Sequence, residues 1–166
     1  MIVADRPLAG FLAAFTAVTV DFVDGEVARL QERASPFGNY LDAVVDRCVE
    51  VVLLVALAPR HPLAAASALG LGLLVSYVKA RVSLVVLADN HDWPGIGDRA
   101  DRVVFMLMAI AFLSLPWGVA GRLLSEWALW AGAAVSAVGI VQRFLHARTL
   151  VANAQRSDTL LPYLRP

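Results

Sequence analysis

Apolar residues gather in five long stretches, at about 7 to 25, 41 to 58, 62 to 87, 101 to 120 and 126 to 146. A helix that crosses a bilayer needs roughly 20 mainly apolar residues, so each stretch has the length of a span. The runs are too long and too rich in Ala and Leu for short β-segments. Between them stand "APRHP" at 58 to 62, "DNHDWPGIG" at 89 to 97 and "PWGVAGR" at 116 to 122, each with Pro or Gly where a helix stops or turns. The pattern predicts an all-α fold, a polytopic transmembrane bundle of five spanning helices, because helices satisfy their own backbone groups in lipid.

Composition agrees. The 166 residues are 59% hydrophobic and 17% charged, with mean hydropathy +0.67, where a soluble domain is about 45 to 50% apolar and about 25% charged. The competing reading, buried helices of a soluble protein, leaves too little polar surface to cover so many apolar runs. Fourteen basic residues balance fourteen acidic ones, so there is no cationic excess for nucleic acid. Cys48 is the single cysteine, which rules out an intramolecular disulfide.

The charges are unevenly placed. Arg29, Arg33, Arg47, Lys79, Arg81, Arg99, Arg102, Arg143, Arg148, Arg156 and Arg165 lie at or beyond the same ends of the predicted helices, and Arg6, Arg60 and Arg122 at the opposite ends. The richer side is expected to be cytoplasmic, in a multi-pass cell-membrane protein whose active site faces the cytoplasm. No cleavable signal peptide is evident in the first apolar run.

The polar exception is "DFVDGEVARLQERASPFGNYLDAVVD", residues 21 to 46. Asp21 and Asp24 are three apart, and Asp42 and Asp46 four apart, so on helices each pair projects from one face. Carboxylates crowded beside a low-dielectric bundle repel one another unless a cation sits among them or they are protonated. Hard oxygen ligands without His or Cys suit Mg²⁺ or Mn²⁺ rather than zinc. Gly25 and Gly38, the latter expected in the turn between helices, remove side chains where a bulky ligand could approach. Solvated helix faces are the plainer alternative, disfavoured because ionisable groups in membrane helices are functional by default.

The spacing Asp21-x2-Asp24-Gly25-x2-Ala28-Arg29-x8-Gly38-x3-Asp42-x3-Asp46 resembles the signature of the CDP-alcohol phosphotransferases at all eight fixed positions. The resemblance runs from about residue 7 to 150. It implies transfer of the phosphatidyl-type group of a CDP-linked lipid, ester or ether, to an alcohol, with release of CMP. It implies two Mg²⁺ or Mn²⁺ ions held by Asp21, Asp24, Asp42 and Asp46, with Asp46 also the catalytic base. Asp21, Gly25, Ala28, Arg29 and Gly38 would receive the nucleotide and its diphosphate. A homodimer in the lipid bilayer is a further implication. The family carries six helices, and with 20 residues before Asp21 there is room for one helix rather than two, so the first is expected to be missing. Residues 1–150 are expected to form the transferase domain and 151–166 a cytoplasmic tail, loose after Thr149.

For the acceptor, Lys79 in "SYVKAR", Arg102 with Arg99 in "GDRADR", and Arg143 in "VQRF" bring cations from three helices to one face, a set suited to a phosphate dianion. This is similar to the family branch whose acceptor is inositol phosphate, and it makes Lys79, Arg102 and Arg143, with Arg99 as a further candidate, the expected acceptor-phosphate residues. A glycerol phosphate acceptor is the nearest rival; a non-catalytic, divalent-cation-binding membrane subunit is the rival of another class. Gly70, Gly72, Gly132 and Gly139 are expected to allow close helix packing. His61, His91 and His146 are too scattered for a metal triad.

Overall fold

Pro and Ser set the helix starts. In the computed structural model, which describes residues 7–30, 35–86, 93 and 95–157 and only the backbone of residues 7 and 21–30, the elements are α1 (Pro7–Leu30), α2 (Pro36–Leu57), α3 (Pro62–Val82), α4 (Arg99–Ser114) and α5 (Val119–Arg156). Among the described residues the fold is all-α, as the pattern predicts.

α2 begins at Pro36 rather than near 41. Ser35 caps it, its hydroxyl accepting from the Gly38 amide at 2.9 Å, and Pro36 occupies a first-turn position where no amide is needed. Gly38 is therefore inside the first turn of α2, not in the turn between helices. α3 ends at Val82, earlier than the expected 87, and passes into a turn at 83–85. α4 stops at Ser114 instead of 120, because Pro116 forces Leu115 into extended backbone (φ −80°, ψ 147°). Gly118, at φ +53°, reverses the chain, and α5 starts at Val119 rather than 126. α5 then continues to Arg156 with Ala154 buried at 3% exposure, so the expected loose terminus after Thr149 is corrected for residues 150 to 156. Residues 158–166 lie outside the described part.

α5 packs most extensively, against both α3 and α4; α1 packs on α4, and α2 on α3 and α4. Leu57, Ile110 and Leu129 are fully buried in the shared core beside Ala64, Ala65, Ala109 and Ala133. Small residues on α5 permit the approach: a Cβ at Gly132 would stand 3.0 Å from the Phe105 Cβ, and one at Gly121 only 2.6 Å from the Phe112 carbonyl oxygen. Gly72 and Gly139 are tight as expected. Gly70 is not; a Cβ there would meet open space.

α3 and α5 are long and apolar enough to cross a membrane. α5, 38 residues long, extends about 57 Å at the usual helical rise, well past the roughly 30 Å hydrocarbon layer. The other three depart from the five-span expectation for visible reasons. α1 holds a shorter apolar helix, Leu8–Val20. α2 carries Asp42, Asp46, Arg47 and Glu50. α4 has 16 residues, about 24 Å.

Candidate functional site

The middle of α2 turns two carboxylates inward. Asp46 and Glu50 follow Asp42 at one-turn intervals; Asp42 is exposed, whereas Asp46 is 7% and Glu50 3% exposed. Ionised groups are kept this far from water only when paired, and each has a basic partner from α4. The Arg99 guanidinium meets Asp46 at 2.8 Å. Arg102 gives Glu50 Oε1 two contacts, at 3.0 Å and 3.3 Å, while Arg47 donates to Glu50 Oε2 at 2.8 Å.

The turn before α4 completes the arrangement. Gly97 has φ +74°, a left-handed conformation natural to glycine, and sits so close to α5 that an added Cβ would lie 3.1 Å from the Val135 carbonyl oxygen. A Cβ at Gly139 would come within 2.5 Å of the Ile96 carbonyl oxygen. The turn is tied through both backbone groups of Gly97: its amide donates to Asp101 at 2.9 Å and its carbonyl accepts from Arg102. Asp98, the N-cap residue of α4, makes no side-chain cap bond; its carboxylate instead pairs with Arg143 of α5. Arg143 is 4% exposed and donates from its other terminal nitrogen to the Val75 carbonyl of α3 at 3.2 Å.

These groups line an open cleft of about 1350 Å³ whose polar wall includes Asp46, Lys79, Asp98, Arg99, Arg102 and Arg143. Its apolar wall includes Tyr40, Val44, Val51, Val52, Leu73 and Tyr77. An amphipathic ligand with a multiply anionic head matches such a lining.

The four expected acceptor cations, Lys79, Arg99, Arg102 and Arg143, thus share one cleft with Asp46. Their states differ. Lys79 is half-buried, Arg99 is paired to the motif carboxylate, and Arg102 and Arg143 are buried and held by protein partners. Asp21, Asp24, Gly25, Ala28 and Arg29 fall on helical backbone of α1, but their side chains lie outside the described residues. Among the described residues no group of three or more His, Cys, Asp or Glu is gathered for a metal. The half of the donor set that is described, Asp42 and Asp46 one turn apart, offers carboxylate oxygens alone, which fits Mg²⁺ or Mn²⁺.

Glu50 and Asp98 were not anticipated from the sequence. Glu50 had a signal, since it extends the 42, 46 spacing by one more turn. Asp98 stands inside "GDRADR" and bears the opposite charge to the residues read as phosphate ligands, so only the tertiary pairing exposes its role.

Comparison with known proteins follows the same lines. The CDP-alcohol phosphatidyltransferase profile matches residues 1–138. A phosphatidylinositol phosphate synthase of Streptomyces avermitilis is 34% identical over 145 residues, covering 81% of this chain and 59% of that protein. An archaetidylinositol phosphate synthase of Methanothermobacter thermautotrophicus is 32% identical over 103 residues, 59% of this chain and 51% of that protein. A phosphatidylinositol phosphate synthase of Mycolicibacterium smegmatis is 30% identical over 167 residues, 87% of this chain and 71% of that protein. The chain spans between 51% and 59% of the length of the first two. No solved structure matches it.

Proposed function

Because the chain belongs to the CDP-alcohol phosphatidyltransferase family, we propose that it is a membrane-embedded transferase that moves the phosphatidyl-type group of a CDP-linked lipid to inositol phosphate and releases CMP. The observation that carries this reading is the cleft, where Asp46 shares one lining with Lys79, Arg99, Arg102 and Arg143 beside an apolar wall. The names of the relatives favour a phosphorylated inositol acceptor over glycerol phosphate.

In the proposed reaction the acceptor hydroxyl oxygen bonds to the lipid-side phosphorus, the bond from that phosphorus to the CMP oxygen breaks, and the hydroxyl proton leaves to a base. Asp46, on the cleft wall and one helical turn from Asp42, would serve as that base. Lys79 and Arg99 reach the cleft with donors suited to the acceptor's phosphate, and Arg143, reached through Asp98, adds positive charge behind them. Tyr40, Val44 and Leu73 offer apolar surface to lipid chains. Asp21, Asp24, Asp42 and Asp46 would hold two Mg²⁺ or Mn²⁺ ions, which when bound neutralise the diphosphate and the charge that develops on it. Gly25, Ala28, Arg29 and Gly38 would receive the nucleotide.

Placement in a bilayer is supported by α3 and α5 and by large apolar side chains turned outward, such as Leu63, Val119, Trp127 and Phe144. The basic helix ends favour a cytoplasmic side for the cleft, and a homodimer accords with the family. The test is CMP release from CDP-diacylglycerol and CDP-archaeol with Mn²⁺ or Mg²⁺, offering inositol phosphate, glycerol phosphate, inositol and serine in turn. Release with inositol phosphate supports the reading, and release with glycerol phosphate alone transfers it to the rival acceptor. Metal binding without CMP from any acceptor makes the chain a cation-binding subunit.

A further inference from the structure

Glu50 lies off the family's motif spacing, yet it is the most buried of the three carboxylates on its face of α2 and pairs with two arginines. Its two oxygens are divided: Oε2 accepts from Arg47 on its own helix, and Oε1 accepts from Arg102 of α4. Arg102 is buried behind it at 6% exposure, and Gly72 of α3 supports it so closely that an added Cβ would lie 3.1 Å from the Arg102 Cδ. A planar guanidinium held along one edge has its remaining nitrogen aimed in a fixed direction. Here that nitrogen donates to the Gly97 carbonyl.

The next two residues, Asp98 and Arg99, are those that pair with Arg143 and Asp46. A chain of contacts therefore runs from Glu50 through Arg102 and the Gly97 carbonyl to the turn that brings Asp98 and Arg99 to the cleft's charged wall. If the buried pair served only to join α2 to α4, a single bond between Glu50 and Arg102 would do; the third bond, to Gly97, serves the turn.

We propose that Glu50 is a positioning residue: by fixing Arg102 it holds the turn at 95–98 so that Asp98 stays paired with Arg143 and Arg99 faces the acceptor's phosphate. The proposal rests on the transferase reading above and adds a residue to it. Glu50 touches neither substrate. Its loss should leave the CDP-lipid's binding intact and loosen that of the phosphorylated acceptor.

The test compares Glu50→Gln with Leu54→Ala in lipid nanodiscs. Leu54 lies one turn further along α2, buried at 4% exposure in the apolar core, so its truncation destabilises the same helix without removing a hydrogen bond of Arg102. Hydrogen exchange of the amides at 95–102 and the KM values for CDP-diacylglycerol and inositol phosphate are read in both variants. Glu50→Gln is expected to speed exchange at 95–98 and raise the acceptor KM at least tenfold, with the CDP-lipid KM within twofold of the parent. Leu54→Ala should do neither. Glu50→Asp, which keeps the charge on a shorter arm, should give the same pattern at smaller size and replaces Glu50→Gln if that variant does not fold. Equal rises in both KM values, no rise in either, or the same exchange change in Leu54→Ala overturns the proposal. If the parent protein transfers to no phosphorylated acceptor, the transferase reading fails, and exchange at 95–98 alone decides whether Glu50 positions the turn.

Discussion

The two ends of the helical bundle both carry charge, but they treat it differently. At one end Asp46, Glu50, Arg102 and Arg143 are buried and cross-linked among α2, α3, α4 and α5. At the other, where α2 passes into α3, buried His61 faces a half-exposed Glu126 at 3.9 Å, with Arg60 and Arg122 nearby. A partly exposed contact of the second kind, at 3.9 Å, contributes about 0 to 1 kcal/mol. Desolvated pairs of the first kind cost several kcal/mol to assemble unless every partner is in place. Among the described residues the fully desolvated pairs gather at the first end, which concentrates the chemistry there, and each prediction below is a way to abolish or measure that contrast.

The largest effect is expected from Asp42→Asn and Asp46→Asn. Each should lower transfer by about a hundredfold to ten-thousandfold, the range for losing a positioned acid–base or ligand group, while the protein still inserts; CMP release and membrane fractionation check it. Near-normal turnover of both would remove the metal site from the account. Arg143→Ala comes next. It leaves Asp98 without its α5 partner, and should raise the acceptor KM roughly tenfold or more, about 1.4 kcal/mol, with little change for the CDP-lipid. Equal effects on both substrates would assign Arg143 to a different role.

Glycines give a smaller contrast within one class. Gly139→Ala puts a methyl 2.5 Å from the Ile96 carbonyl and should cost about 1 to 3 kcal/mol, with weaker acceptor binding as the turn shifts. Gly70→Ala meets open space in mid-helix and should be neutral or stabilising by up to about 1 kcal/mol. Thermal unfolding of the two variants separates the tight site from the loose one.

The smallest effect belongs to the far end. Burial lowers the His61 pKa below its ordinary 6.5, against the pull of Glu126, with Arg60 and Arg122 adding to the lowering. The unfolded chain then takes up the proton first, so His61 contributes a loss of stability as the pH drops through 6.5 towards the lowered folded value, and none above it. His61→Gln should flatten that part of the curve of melting temperature against pH. An unchanged curve would show that another group governs it.

The sequence made some of this legible. The apolar runs located five helices because burial and lipid impose the same length rule, and the eight spaced positions of residues 21 to 46 pointed to the family that the comparison then showed. Helix ends were harder, since they depend on local chemistry that apolar periodicity does not register: the Ser35 cap, the Pro116 stop and the Gly118 reversal each moved a boundary. The basic residues Lys79, Arg99, Arg102 and Arg143 were found because charge in an apolar chain stands out. Glu50 and Asp98, the partners of Arg102 and Arg143, were not, because pairings across 52 and 45 positions leave no trace in local spacing. Gly70 and Gly72 look alike along the chain; only the approach of Arg102 distinguishes them.

The central claim is that the carboxylates of α2 and the cations of α3, α4 and α5 serve one transfer reaction in one cleft. Measuring CMP released from CDP-diacylglycerol with Mn²⁺, in the presence and absence of inositol phosphate, tests it most directly. The account predicts release that needs both the metal and the phosphorylated acceptor and a lipid product that retains the acceptor's phosphate; release that ignores the acceptor, or none although Mn²⁺ binds, would contradict it.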